Sequence, residues 1–272
     1  MSEFIRELLE CEKEKPYAKY YSQPMAKPTA AQLAVLEKPA IAPEKLLKLE
    51  DLGKLFKQEN TFEPGYGNFE DGSGIVMNEI FMPGVTAEMM QWWFAWHPLE
   101  ALRYTIWDPA DHHSVSICDE DRAKILNPSV PLEEKSRGVV HWVIEKLGLE
   151  ADDCIIHFMN PFEMGFAPED FHEPNITNAI GGWAHLHGRK APMDSFATML
   201  HTFKETEDGL IFRSRFWMGY KYIRGQVVKV LPPGIVIPEI VMKGLLKHSI
   251  EEYTNLAAIL PSLYAECEGK VE

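Results

Sequence analysis

The run from Leu231 to Leu263, LPPGIVIPEIVMKGLLKHSIEEYTNLAAILPSL, constrains this chain more than any other stretch. Pro232, Pro233 and Pro238 end whatever precedes it, and Pro261 marks its expected close. Between them there is room for a helix of about five or six turns. At about 100° per residue, Lys243, Lys247, Glu251 and Thr254 share one polar strip. Val241, Leu245, Leu256 and Ile259 fall on the other side, together with His248 and Glu252. A histidine and a glutamate one turn apart are neighbours on a helix and can aim at one point. A lone carboxylate on a buried face is costly and needs a partner. A metal ion held by His-x-x-x-Glu supplies one; a plain His–Glu hydrogen bond across one turn is the simpler alternative.

The other segments divide the chain into two expected portions. Residues 1–64 are punctuated by Pro16, Pro24, Pro28, Pro39 and Pro43 and read as short helices packed on the main body. Within them, helical spacing covers 2–15 (Phe4, Leu8, Leu9) and 42–56 (Leu46, Leu47, Leu49, Leu52, Leu55). Residues 65–272 carry the strands. GIVMNEIFM is an apolar strand, Thr86 an N-cap for a helix rich in tryptophan (Trp92, Trp93, Trp96), and Arg103–Trp107 a strand leading to the pair His112–His113. Residues 128–148 read as a helix stopped by Gly148 and carrying a second His-x-x-x-Glu, His141 with Glu145; on pattern alone these two lie on a solvated helix edge. A strand followed by a turn is expected over 153–166. Asn178–His187 carries an alternating His185-x-His187, which on a strand can chelate a metal or equally be two same-facing polar residues. A hairpin is expected over 196–220 with its turn at 207–209. This order predicts an α+β fold, a curved antiparallel sheet around a long C-terminal helix.

Composition narrows the function. Forty-one acidic against 27 basic residues give a net charge of −14, which argues against nucleic acid and anionic membranes as partners. No apolar run reaches membrane-spanning length, and the N-terminus lacks a signal-peptide core, so a cytoplasmic protein is expected. The four cysteines, without close pairing, fit reduced thiols rather than a zinc cluster. Phosphate-binding glycine loops, serine nucleophile elbows and HExxH are missing from the sequence. Histidines and glutamates scattered along the chain remain, the pattern of a metal site assembled by the fold.

FMPGVTAEMMQWWFAWHPLEALRYTIWDPADHH (81–113), the His141–Glu145 pair, MLHTF with RSRFWMGY (199–220) and His248-x-x-x-Glu252 occur in this order. Together they resemble the phloretin hydrolase and 2,4-diacetylphloroglucinol hydrolase family over residues 65–260. The resemblance implies a helix-grip (Bet v 1-like) body and zinc-dependent hydrolysis of the carbon–carbon bond between an acyl group and a phloroglucinol ring. It implies zinc ligands at one of His112 and His113, at Glu145, His248 and Glu252, with His112 preferred because its even offset from Tyr104 suits a shared strand face. Tyr104 and His201 become the candidates for holding phenolic oxygens and moving protons. Phe216 or Tyr220 stands where the family has a tyrosine, and a phenylalanine there would remove one phenol contact. Zinc, a small polyphenol substrate and, by base rate, a homodimer complete the expectation. Two readings compete with it: a non-catalytic helix-grip binding protein for an aromatic ligand, and a metal enzyme of another reaction type.

Overall fold

The computed structural model describes residues 6–57, 63–147, 152–167, 170–171, 176–188 and 194–272. Its centre is an eight-stranded antiparallel sheet. The strands are β1 (Gly65–Asn68), β2 (Gly74–Pro83), β3 (His112–Ser116), β4 (Val140–Glu145), β5 (Asp152–Met159), β6 (Asn178–His187), β7 (Ser195–Thr206) and β8 (Gly209–Met218). Their order is β1-β2-β8-β7-β6-β5-β4-β3, and β9 (Tyr220–Ile223) with β10 (Gln226–Lys229) forms a separate ribbon. Strand β2 leaves its sequence neighbourhood to pair with β8, from Gly74↔Met218 to Pro83↔Gly209, which brings residues far apart in sequence onto one face. The expected hairpin is β7–β8. Gly209, at φ 152°, closes it where an added Cβ would lie 2.3 Å from the Met82 carbonyl oxygen.

Period-two alternation divides the apolar residues between the two faces. Met199 and Phe203 of β7, Phe212 of β8 and Phe158 of β5 share a core with the helix α1 (Ala87–Trp96) and the C-terminal helix. Leu200 and Trp217 point the other way, into a second core built with Leu46, Leu49, Leu52 and Leu55. The N-terminal residues thus cover the back of the sheet, while Tyr17, Tyr20 and Tyr21 join the front core. The Thr86 side chain caps α1 by accepting from the Met89 amide at 3.2 Å, as expected.

Several expected elements differ. Residues 42–56 form short 3-10 turns at Pro43–Lys45 and Leu49–Asp51 followed by the helix Lys54–Lys57, and Gly53, a poor helix former, interrupts the leucine spacing. Arg103–Trp107 is not a strand: Ala101–Thr105 is a short helix, α2. His141 and Glu145 lie on strand β4 rather than a helix, and both are buried, not at a solvated edge. A spacing of four satisfies both periods, and the β-branched run around Trp142 decides for the strand. The expected stop at Gly148 and the start of the 2–15 segment lie outside the described residues. The terminal helix, α3 (Glu239–Glu266), runs 28 residues and passes through Pro261 instead of ending there. Burial of Ile259, Leu260 and Leu263 on both sides of the proline offsets the lost hydrogen bond. Val241, expected to be buried, is exposed, and Met242, Leu246, Ile250 and Tyr253 supply the buried stripe. Helix α3 packs against β2, where Asn78 Nδ2 donates to Ser249 Oγ at 3.2 Å. Among the described residues no helix is long and apolar enough to cross a membrane.

Candidate metal centre

Four elements deliver the polar groups. The turn Asp108–His112 joins α2 to β3; there the His112 amide donates to the Asp108 carbonyl at 2.8 Å. Asp108 Oδ1 accepts from the amides of Ala110 and Asp111, both at 3.1 Å. His112 on β3 is registered directly opposite Glu145 on β4, so both side chains emerge on one face. His248 and Glu252, one turn apart on α3, meet them from above.

His112 Nε2 is the focus. It lies 3.6 Å from Glu252 Oε2 and 3.8 Å from Glu145 Oε2. His248 Nε2 is 3.9 Å from Glu252 Oε2. Ligand atoms of Asp108, His112 and His248 all lie within 4.8 Å of one another, and this buried group could hold a metal ion. His112 Nδ1 donates to the Tyr104 carbonyl at 3.4 Å, which leaves Nε2 as a lone pair. That atom is buried and has no hydrogen-bond partner among the described residues. A buried orphan acceptor between two carboxylates is what a cation would satisfy.

The electrostatics agree. Burial, and then the charge on His248, hold His112 well below the usual histidine range, so its ring is neutral. Burial alone would lower His248 too, but Glu252, Asp111, Asp108 and Glu145 outweigh it and raise it to about 10. Burial lifts Glu145, Glu252 and Asp108, the last to about 6. One imidazolium thus faces four carboxyl groups, of which burial disfavours the charged form in Asp108, Glu145 and Glu252, while His248 and Lys146 hold Asp111 below the usual carboxylate range.

The remaining expected residues are placed as follows. Tyr104 sits on α2, not on a strand shared with His112. Its ring nevertheless stacks on His112 with centroids 4.1 Å apart and 1° between planes, and its hydroxyl donates to Glu145 Oε2. Burial and the Glu145 charge raise Tyr104 well above the usual tyrosine range, so it keeps its proton. Of the histidine pair, His112 enters the cluster; His113 is half-buried, and its carbonyl accepts from Arg6 Nε and Thr105 Oγ1. His201 is buried on β7, with Nδ1 2.9 Å from Ser214 Oγ and Nε2 3.4 Å from the Tyr253 hydroxyl; burial lowers it to about 3. Phe216 is half-buried and meets His201 edge-on at 5.6 Å. Tyr220 is not brought to the cluster: its hydroxyl donates to Asp71 at 3.0 Å, and its ring packs with the core behind the sheet. His185 and His187 share one face of β6 as expected, but both bond to Asp194 at the surface.

Sequence reasoning passed over Asp108, Asp111 and Tyr253. The first two stand in the quoted DPADHH, where Asp-x-x-Asp signals a tight turn; Tyr253 directly follows Glu252.

A large antiparallel sheet lies under a long helix, and the histidines and carboxylates buried between them include a group that could hold a metal ion. The family profile described as DAPG hydrolase PhiG domain matches residues 46–265, and the chain belongs to this family of hydrolases. The phloretin hydrolase of Eubacterium ramulus is 38% identical over 262 residues, covering 94% of this chain and 91% of that protein. The 2,4-diacetylphloroglucinol hydrolase of Pseudomonas protegens is 29% identical over 269 residues, covering 93% and 84%.

Proposed function

We propose that this protein hydrolyses the carbon–carbon bond between an acyl group and a phloroglucinol ring, in substrates such as phloretin or acetylphloroglucinols. The products are phloroglucinol, or its monoacyl form, and a carboxylic acid. We assign zinc as the cofactor, held by His112, Glu145, His248 and Glu252. The observation that carries this reading is the orphaned His112 Nε2 facing Glu145 and Glu252, in a chain whose relatives are named for this substrate class. Asp108 is the rival donor, but its Oδ1 is engaged by two amides that hold the turn, and we assign it to that role. The helix-grip arrangement, with the sheet curving around α3, follows from the same reading, as does a catalytic unit at 65–272 carrying an N-terminal layer at 1–64.

Zinc at this position would supply Lewis acidity toward the acyl carbonyl. The protein supplies the rest. An aryl ketone cannot simply expel an aryl carbanion. Transfer of a phenolic proton to the acyl-bearing ring carbon first converts the trihydroxy ring to its keto form, so that the bond to be broken becomes that of a β-diketone. Tyr104, which keeps its proton, donates to a phenolic or enolic oxygen when Glu145 is engaged. His201 is neutral, with burial lowering it to about 3, so it orients a phenolic hydroxyl by hydrogen bonding and does not take up its proton. Water attack on the acyl carbon and collapse then release the acid and an enolate that regains aromaticity. Ile156, Leu186 and Phe216 are half-buried and share the strand parity of the front core, which makes them the apolar lining for ring and acyl chain.

Elemental analysis of the purified protein beside His248→Ala and Glu252→Ala tests the assignment. One zinc per chain, lost with turnover in both variants, is expected. Near-normal turnover in either variant removes the ligand set, and a metal-free, inactive wild type points to the binding-protein alternative.

A further inference from the structure

We propose that Asp111 is the positioning residue for the metal centre: its carboxylate holds His248 with Nδ1 outward and Nε2 toward Glu252 and His112. This inference rests on the metal-site reading above and concerns how that site is kept in shape.

The two histidines of the cluster are oriented by different means. His112 gives its Nδ1 proton to a backbone carbonyl, that of Tyr104, which no side-chain substitution can remove. His248 sits on a helix, where backbone acceptors are already used, so its Nδ1 needs a side chain. Asp111 Oδ2 lies 3.3 Å from that nitrogen. The other oxygen, Oδ1, lies 3.4 Å from Lys146 Nζ, so the carboxylate spans a cation and an imidazole.

The placement is built into the backbone. The Asp111 amide donates to the Asp108 carbonyl at 3.2 Å and to Asp108 Oδ1 at 3.1 Å. The Asp111 carbonyl in turn accepts from the Lys146 amide at 2.8 Å, which ties the turn to the end of β4 just beyond Glu145. One turn thus presents a candidate ligand, His112, and next to it the carboxylate that orients the other histidine. As a bare ion pair, Asp111–Lys146 would add little to stability, since both groups are partly exposed. Its geometry toward His248 is the part with functional weight. A carboxylate on the remote nitrogen fixes the tautomer, stiffens the ring and raises the basicity of the nitrogen left for metal, and losing such a partner typically weakens metal binding by about 10- to 100-fold.

The test is a zinc competition titration against a chromophoric chelator, on full-length wild type, Asp111→Ala and Asp111→Asn, with circular dichroism of each metal-free protein as a fold control. Zinc binding weaker by about 10- to 100-fold in Asp111→Ala is expected. Asp111→Asn, whose amide oxygen still accepts from Nδ1–H, should recover part of that loss. Should Asp111→Ala fail to fold, Asp111→Asn decides alone, and affinity equal to wild type overturns the proposal. Zinc-binding wild type with an equally tight Asp111→Ala overturns it while leaving the metal site standing. A wild type that binds no zinc overturns both.

Discussion

Tyr104→Phe separates the chemical role of Tyr104 from its packing. The ring is 2% exposed and stacked on His112 at 4.1 Å, and phenylalanine keeps that stack and leaves no cavity. Only the hydroxyl is lost, and with it the hydrogen bond to Glu145, whose side chain is itself buried. A hydrogen bond to a charged group contributes about 1.5–3 kcal/mol, so the metal-free variant should unfold at lower urea by that margin. The four proposed ligands are untouched, and zinc affinity should stay within a few-fold of wild type. Turnover should fall far more, by about 10²–10³, the usual cost of one donor to a developing oxyanion. The assay pairs steady-state kinetics of the zinc-loaded variant on phloretin with a zinc titration of the same preparation. A kcat within about threefold of wild type would refute the donor role. Loss of zinc together with activity would show that the hydroxyl only supports the site.

Two further perturbations probe the frame around the site. His97 and His201 are buried and neutral, each lowered to about 3 from the ordinary histidine value of 6.5, chiefly by burial. Because the unfolded chain takes up these protons first, their contribution is full above pH 6.5 and is lost as pH falls toward 3. Each group then costs up to about 1.4 kcal/mol per pH unit, so His201→Phe should flatten the acid limb of a urea-midpoint series by about that slope; an unchanged limb would place its titration elsewhere. Thr86→Ala removes the α1 cap and should cost about 1 kcal/mol of stability with kinetics unaltered, whereas a change in kcat would tie α1 to the chemistry.

The start of the terminal helix was legible from Pro238 and the convergence of His248 with Glu252 from helical spacing, whereas its end was not, because burial beyond Pro261 carries the helix through the proline. The β7–β8 hairpin was equally legible from its turn. The β4 strand was not, because a spacing of four puts His141 and Glu145 on one face in either period; the propensity of Val139, Val140, Val143 and Ile144 was the signal to weigh. Residue Tyr104 shows the reverse case. The strand expected around it is a helix, yet its stacking on His112 is real, since the turn after α2 folds the chain back on itself. The role of Asp111 was hidden because it depends on a contact 137 residues away in sequence, which local pattern does not encode.

The central claim is a hydrolytic carbon–carbon cleavage at this centre. Its most direct test is mass spectrometry of the products formed from phloretin by the zinc-loaded protein in ¹⁸O-labelled water. Equal amounts of phloroglucinol and of the arylpropanoic acid, the acid carrying one heavy oxygen, and no reaction by His248→Ala, are the predicted result. Phloretin recovered unchanged, or altered without release of phloroglucinol, would contradict the account.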